Sequence, residues 1–380
     1  MGTMQDYLKW RADLRFSQDP FNDVDALILA MLSYLPFKDI VPGPESTKRI
    51  TLKQAALHFS EKEKSGSKKT PITHIAATAS LSSEFLELLL SASSSRRFEH
   101  IQLSRFEAKT DFTAGQQFAA LTYTLPGVRR PKVIAFRGTD NTLIGWKEDF
   151  EMAYMQEIPA QESARKYLRR AIGLFSGRVT VCGHSKGGNL TVYAASRLDP
   201  LKRSKITRVV NFDGPGFDFS LIPQSSFLAS VAKVVNYVPE ESVVGMLLQP
   251  VGSRRVIASD GHGMSQHDAH NWQVEGNRFV ESTLSETTLL LEETLKSWLA
   301  QITHDKREVF IEALFEIFGA SEGKTIDPME HLKDINKIIK NYSQLDETTK
   351  KLLSEVISSF TAQATNTLSK TIKDKLPKKV

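Results

Sequence analysis

An apolar run, a serine between glycines and a helical pattern follow one another without a break in residues 178–195. Val179 to Cys182 is β-prone, Gly183-His184-Ser185-Lys186-Gly187 has the composition of a sharp turn, and Asn189 to Leu198 has that of a helix. The flanking glycines let the backbone turn without a Cβ clash and leave room beside the serine hydroxyl. The free N–H groups at the start of the helix can stabilise a developing negative charge. This strand, turn and helix are what a nucleophilic serine at the edge of a parallel sheet requires.

Short apolar segments alternate with helical patterns, which predicts an α/β fold with a mostly parallel sheet between helices. The segments predicted as buried strands are 131–136, 179–182, 208–212, 233–238 and 254–259, and the alternating segments 100–111 and 116–125 predict an antiparallel pair. Functional residues collect at the carboxyl ends of such strands. Those ends carry Thr139, Ser185, Asp213 and Glu241, followed by a histidine-rich loop, so we expect them to form one site.

The composition is ordinary for a globular protein, with 41% apolar residues, 24% charged residues and a net charge of +5. No zinc, stacking or helix-turn-helix signature accompanies the basic excess, so we expect no nucleic-acid partner. The single cysteine, Cys182, excludes an internal disulfide framework and fits a reducing compartment. The polar N-terminus is unlike a signal peptide, and no apolar run approaches the roughly 18 to 20 residues of a membrane span. These features predict a cytoplasmic protein and leave its oligomeric state open.

The periodicity changes near residue 283, which predicts two parts. We expect an α/β-hydrolase domain over 1–283, with a mostly helical segment over 1–100, and a helical C-terminal extension over 284–380. Lysines cluster from Lys370 to Lys379. One interpretation that stays open is that these helices dock a partner or an anionic membrane surface.

A catalytic serine needs a base, and the base needs an acid that orients it. In α/β-hydrolases these residues occur along the chain in the order serine, acid, histidine. The acids at strand ends downstream of Ser185 are Asp213, Glu240 and Glu241, and the histidines of the following loop are His262, His267 and His270. The required order is therefore met.

Several segments resemble the class 3 (fungal-type) triacylglycerol lipases. Phe136-Arg137-Gly138-Thr139, followed by Trp146 and Asp149, is similar to their oxyanion-loop and lid segment, and the segment 183–188 is similar to their nucleophile elbow. Glu240-Glu241-Ser242-Val243-Val244 resembles their Asn-Asp-x-Val-Pro segment, and 267–272 resembles their histidine segment. The chain is still more similar to a bacterial family of class-3-lipase-like proteins of undefined function, over about Met4 to Val280. The motifs shared with that family are Asp-Tyr-Leu-x-Trp-Arg, Phe-Arg-Gly-Thr-Asp, Gly-Trp-Lys-Glu-Asp-Phe, Gly-His-Ser-Lys-Gly-Gly-Asn and Gln-His-Asp.

The resemblance implies a serine esterase that acts on lipid or other acyl esters without a metal or an organic cofactor. It assigns Ser185 as nucleophile, His267 as base and Glu241 as acid, with Asp213 and His262 as the alternative acid and base. Thr139 and the backbone N–H of Lys186 would form the oxyanion hole, and Trp146 would lie on a lid or in the core. The alternatives are a hydrolase-fold binding module without efficient turnover and a docking protein that acts through its C-terminal helices.

Two ion pairs are also expected near the site. The Lys186 ammonium would pair with Asp140 or Glu241, or would meet an anionic group of the substrate, because a lone cation at a helix N-terminus opposes the helix dipole. Arg137 would pair with Asp149, as a structural residue rather than a catalyst.

Overall fold

An eight-stranded sheet forms the centre of the protein in the computed structural model, which describes residues 1–64, 79–140, 143–173, 176–317 and 335–375. In spatial order the strands are β1 (Ile50–Thr51), β2 (Gln102–Asp111), β3 (Gln116–Thr124), β4 (Lys132–Phe136), β5 (Val179–His184), β6 (Ile206–Phe212), β7 (Val234–Pro239) and β8 (Ser253–Ile257). Strands β1 to β4 pair antiparallel, and β4 to β8 pair parallel. A small hairpin of β9 (Val274–Glu275) and β10 (Arg278–Phe279) follows the sheet.

The helices are distributed before, between and after the strands. They are α1 (Met4–Arg11), α2 (Asp23–Leu32), α3 (Leu52–Lys64), α4 (Ala79–Ser94), α5 (Leu143–Glu151), α6 (Pro159–Ala171), α7 (Lys186–Ser196), α8 (Pro200–Arg203), α9 (Leu228–Val231), α10 (Glu286–Leu299), α11 (His304–Ile317), α12 (Ile335–Gln344) and α13 (Glu347–Lys375). The expected α/β fold, a mostly parallel sheet flanked by helices and followed by C-terminal helices, is confirmed.

Each face of the sheet is covered because neighbouring strand residues point in opposite directions. In β4, Val133 and Ala135 join the core beneath α1 to α4, whereas Ile134 and Phe136 join the core beneath α6 and α7. Burial on both faces explains why the strands read as continuous apolar runs.

A buried ion pair ties the N-terminal helices together. Arg97, which is 1% exposed, donates to both oxygens of the Asp25 carboxylate, at 2.8 and 2.6 Å. The Tyr7 hydroxyl of α1 donates to the same carboxylate at 2.8 Å. The segment after α4 is thereby fixed to α1 and α2.

The C-terminal helices pack on the sheet-containing part and on one another. Arg254 of β8 forms two hydrogen bonds with Glu292 of α10, and Ala313, Ile317, Leu345 and Leu353 form a small apolar cluster among α11, α12 and α13. No helix in the described part of the chain is long and apolar enough to cross a membrane. The side chains of the lysine cluster Lys370 to Lys379 lie outside the described residues.

Candidate active site

Ser185 lies in a sharp turn between β5 and α7. Its backbone has φ 59°, in the left-handed region, and its N–H donates to the Phe212 carbonyl at 2.9 Å. A Cβ at Gly187 would stand 2.1 Å from the Phe136 oxygen, and one at Gly183 would stand 2.2 Å from the Gly187 oxygen. The glycines of the motif are therefore required by the close approach of β4, β5 and α7.

The carboxylate that meets a histidine at this edge of the sheet is Asp213, directly after β6. Its Oδ2 lies 2.6 Å from Nδ1 of His267, and its Oδ1 accepts a hydrogen bond from the Ser242 hydroxyl at 2.5 Å. The Asp213 side chain is fully buried, and its backbone also has a positive φ, 49°. A buried carboxylate held on both oxygens can fix the orientation and the tautomer of an imidazole.

Glu241, expected as the orienting acid, is placed elsewhere. Its carboxylate accepts a hydrogen bond from the Gly263 backbone N–H at 2.5 Å, and its own N–H donates to Gln266 Oε1 at 2.8 Å. The Glu241 carboxylate is thus bound to the loop at Gly263, four residues before His267, and not to the imidazole of His267. Of the two acids that the sequence offered, the structure therefore brings Asp213, and not Glu241, to the imidazole of His267.

His267 lies against His184, the residue before Ser185. Its ring centroid is 4.7 Å from that of His184, and its backbone carbonyl accepts from His184 Nε2 at 2.8 Å. The Tyr34 hydroxyl then donates to His184 Nδ1 at 3.1 Å. Burial, together with the neighbouring His267, lowers the pKa of His184 to about 3, so His184 is neutral. In the described part of the chain, no hydrogen bond joins the Ser185 hydroxyl to His267.

The other two histidines of the loop are placed away from this arrangement. His262 is exposed, and its backbone N–H donates to the Ser265 hydroxyl at 2.8 Å. His270 is buried, with its Nδ1 2.8 Å from Asp268 Oδ1. Of the three candidate bases, His267 is the one that contacts Asp213.

The turn after β4 brings Thr139 to the same place. A Cβ at Gly138 would stand 2.9 Å from the Ser185 Cβ and 2.6 Å from the His184 oxygen, so the two turns touch. The Thr139 hydroxyl donates to Asp149 Oδ2. Burial raises the pKa of Asp149 to about 6, against the opposing effects of the Lys186 ammonium and the Thr139 hydroxyl.

The side chain of Lys186 is fully buried and lies in a polar cluster with Glu148 and Asp149. Its Nζ lies 2.9 Å from Glu148 Oε2 and 3.8 Å from Asp149 Oδ1, rather than near Glu241. Burial opposes the charged ammonium, but the charges of Glu148 and Asp149 outweigh it and raise the pKa of Lys186. Arg137 pairs with Asp140, at 3.4 Å, instead of the expected Asp149.

Glu148 and Ser242, to which the sequence analysis assigns no role, contact Lys186 and Asp213. Glu148 also accepts hydrogen bonds from the backbone N–H groups of Gln117 (3.0 Å) and Ala160 (2.8 Å). The signal in the sequence that could have indicated Glu148 is its place in the shared motif Gly-Trp-Lys-Glu-Asp-Phe. Ser242 follows directly on Glu241, and only the fold shows that its hydroxyl reaches Asp213.

Trp146 lies on α5 with 38% of its surface exposed, so it is not a core residue. Phe150, one turn further along this helix, is 40% exposed. An aromatic surface therefore lies on the helix that carries Glu148 and Asp149.

Glu84, Asp268 and His270 place one potential ligand atom each within 4.8 Å of one another. The His270 nitrogen that faces the carboxylates is already engaged by Asp268. This is an ordinary histidine–carboxylate contact, and we assign no metal to it.

Comparison with known proteins identifies the family. The family model for Mbeg1-like proteins matches residues 92–316, more than half of the chain. The protein belongs to the Mbeg1-like family. This is a class 3 lipase-like family of undefined function, so the resemblance seen in the motifs is confirmed.

Among solved structures, the crystal structure of M37 lipase is similar to 51% of this chain and to 69% of its own chain. The TM-score is 0.34 and the sequence identity is 18%. A comparison with curated protein sequences gave no match.

Proposed function

We propose that this protein is a serine hydrolase that cleaves carboxylic esters of lipids or other acyl compounds. The observation that carries the proposal is the 2.6 Å contact between His267 and the buried Asp213, beside the turn that carries Ser185. Membership of a lipase-like family supports the same class of reaction. The strained turn at Ser185 supports a nucleophile in preference to a merely structural serine.

In the proposed reaction, Ser185 Oγ attacks the ester carbonyl while its proton passes to Nε2 of His267. Asp213 accepts a hydrogen bond from the Nδ1–H of His267 and stabilises the imidazolium that forms. The imidazolium then protonates the leaving alkoxide, which leaves as an alcohol, and an acyl-serine remains. Water, deprotonated by His267, attacks the acyl-serine; as the acyl–oxygen bond breaks, the imidazolium returns the proton to Ser185 Oγ and the carboxylic acid is released.

The backbone N–H groups of Lys186 and Thr139 are the proposed oxyanion donors, because both belong to the two turns that touch at Ser185. Each such donor typically contributes about 100- to 1,000-fold in rate. The Thr139 hydroxyl is held by Asp149, so its part in the proposal is to fix the turn that presents the Thr139 N–H.

Among the described residues, the Ser185 hydroxyl and His267 are not hydrogen-bonded. Catalytic hydrogen bonds often tighten only in the substrate complex. The proposal therefore requires that Ser185 Oγ and His267 Nε2 come within hydrogen-bonding distance when the substrate binds. The exposed Trp146, on the helix that follows Thr139, offers an apolar surface for an acyl chain.

A fluorophosphonate probe tests the proposal, because it phosphonylates only an activated serine. We expect covalent labelling of the wild type, and no labelling of Ser185→Ala or His267→Ala. His262→Ala is the matched control, since this exposed histidine of the same loop does not contact Asp213, and it should label at the wild-type rate. A wild type that stays unlabelled would contradict the proposal and favour a binding module without turnover.

The acyl preference is measured separately, with p-nitrophenyl esters of increasing chain length. We expect kcat/KM to rise with chain length if Trp146 contacts the acyl chain, and Trp146→Ala to flatten that increase. A profile independent of length would remove the lipid part of the proposal and leave a short-chain esterase.

A further inference from the structure

Helix α5 makes contacts on two faces, an inner face towards Lys186 and Thr139 and an outer face towards α11. Glu148 and Asp149 face inwards and contact Lys186 and the Thr139 hydroxyl. Lys147 and Phe150, which are three residues apart and therefore share a face, point the other way. The position of the Thr139 turn consequently depends on what holds the outer face of α5.

The outer face of α5 is held by α11 of the C-terminal extension. The rings of Phe150 and Phe315 meet edge to face with their centroids 5.6 Å apart, and Phe315 is 4% exposed. Glu312 accepts from Lys147 Nζ at 2.7 Å and from the Tyr154 hydroxyl at 3.3 Å. An apolar and a polar contact thus join the two helices, and a second polar contact joins α11 to the turn after α5.

Helix α11 is in turn fixed to the loop that follows β6. Arg307, which is 7% exposed, donates from Nη1 to the Asp218 carboxylate at 2.6 Å and to the Ala153 carbonyl at 2.7 Å. His304 Nε2 lies 3.2 Å from the same carboxylate. Although burial opposes it, hydrogen bonds from Ser220 and Arg307 lower the pKa of Asp218 to about 2, so Asp218 remains a charged anchor. One arginine therefore links the loop five residues after Asp213 with the turn just after α5.

We propose that α11 is a brace of the active site, and that Arg307 and Phe315 are positioning residues for the Thr139 turn. This rests on the proposed function. The contacts that transmit this effect form a path. It leads from Asp218 through Arg307 and Phe315 of α11 to α5, and from Asp149 of α5 to the Thr139 hydroxyl. Arg307 touches no reacting atom; it acts by holding α5 where Asp149 meets Thr139.

A double-mutant cycle between Arg307→Met and Thr139→Val tests the path, because Thr139→Val removes its last link. We expect Arg307→Met to lower kcat about 10- to 100-fold with KM changed less than about threefold, since small displacements of oriented groups cost this much. In the Thr139→Val background the same change should cost less than about threefold. Phe315→Leu keeps an apolar side chain at this position and should give a smaller loss with the same non-additivity.

Lys306→Met is the matched control. Lys306 is the neighbouring cation on α11, but it is 53% exposed and lies 3.8 Å from Glu355 of α13. It should leave kcat unchanged. Hydrogen exchange of residues 143–151 is measured on each variant, and we expect faster exchange in Arg307→Met but not in Lys306→Met.

Wild-type kcat in Arg307→Met, losses that multiply with those of Thr139→Val, or unchanged exchange in 143–151 would each overturn the brace. Absence of hydrolysis in the wild type would instead overturn the proposed function, and exchange alone would then decide whether α11 holds α5.

Discussion

Ser185 and Asp213 both have positive φ, 59° and 49°, although neither is a glycine. Such conformations cost about 1–3 kcal/mol each and persist where surrounding contacts hold them. Here the Ser185 N–H is bound by the Phe212 carbonyl and the Asp213 N–H by the Tyr237 carbonyl, at 2.9 and 2.8 Å. The conformation of Ser185 is therefore held by the end of β6, and that of Asp213 by the end of β7.

The choice of acid is tested by comparing Asp213→Asn with Glu241→Gln. Asp213→Asn should lower kcat by about 10⁴-fold, because the amide stabilises the wrong tautomer of the imidazole and cannot balance its charge. Glu241→Gln should change kcat by less than about tenfold. Steady-state kinetics on one p-nitrophenyl ester distinguishes them, and the opposite ranking would restore Glu241 as the acid.

The raised pKa of Asp149 gives a pH-dependent prediction for stability. Its folded-state pKa, about 6, exceeds the ordinary 3.8, so between these values the folded protein holds a proton that the unfolded chain has lost. This contribution to stability is therefore present at low pH and is lost as the pH rises through 6. As the pH rises from 4 to 7, the free energy of unfolding of Asp149→Asn, measured with urea, should increase by about 2–3 kcal/mol relative to that of the wild type. A difference that does not vary with pH would contradict the assignment.

At the residue scale, the sequence predicted Ser185 and His267 as partners of one site, and the structure brings both to one edge of the sheet. The resemblance favoured Glu241 over Asp213, although both residues lie just after neighbouring parallel strands. The positive φ of Asp213 and the hydrogen bond from Ser242 distinguish them, and both are properties of loop conformation. A motif alignment fixes order along a chain but not the direction of a side chain.

Helices α5 and α7 are joined by the buried ion pair of Glu148 and Lys186, both fully shielded from solvent. Removing one partner of such a pair leaves an uncompensated charge, whereas replacing both partners by apolar residues is often tolerated. The pair fixes α7, the helix that follows Ser185, to α5, the helix whose Asp149 accepts from the Thr139 hydroxyl.

This pair gives a prediction at the element scale. Lys186→Met should lower the free energy of unfolding by about 3–5 kcal/mol. Lys186→Met with Glu148→Leu should recover only part of that loss, because it removes the unpaired charge but leaves the N–H groups of Gln117 and Ala160 without their acceptor. Circular dichroism during urea denaturation measures both variants. A double variant no more stable than Lys186→Met would show that the pair does more than neutralise buried charge.

The elements themselves were well predicted where hydrophobic patterns are strong. All five apolar runs proposed as buried strands are strands of the parallel part of the sheet, and the two alternating segments form the β2–β3 pair. The contacts of α5 with α11 could not be predicted, because they join residues more than 150 positions apart. Amphipathic patterns show that a helix face is buried, but not against which partner.

For the whole molecule, the N-terminal helices cover one face of the sheet and carry the Asp25–Arg97 pair. Arg97→Met should lower the free energy of unfolding by about 3–5 kcal/mol, since Asp25 would remain buried without its partner. Lys53→Met is the control, because its pair with Glu99 is 59% exposed on the lysine side, and its effect should be far smaller. Equal losses in the two variants, measured by urea denaturation, would contradict the structural importance of the buried pair.

The link made by Arg307 bears on where this protein can be cut. A gene fragment ending at residue 283 would remove the donor to Ala153 and Asp218 and leave Phe150 and Tyr154 facing water. Helix α11 ends at Ile317, one residue after the match to the Mbeg1-like family ends. Truncated versions for crystallisation or assay should therefore retain the chain through residue 317.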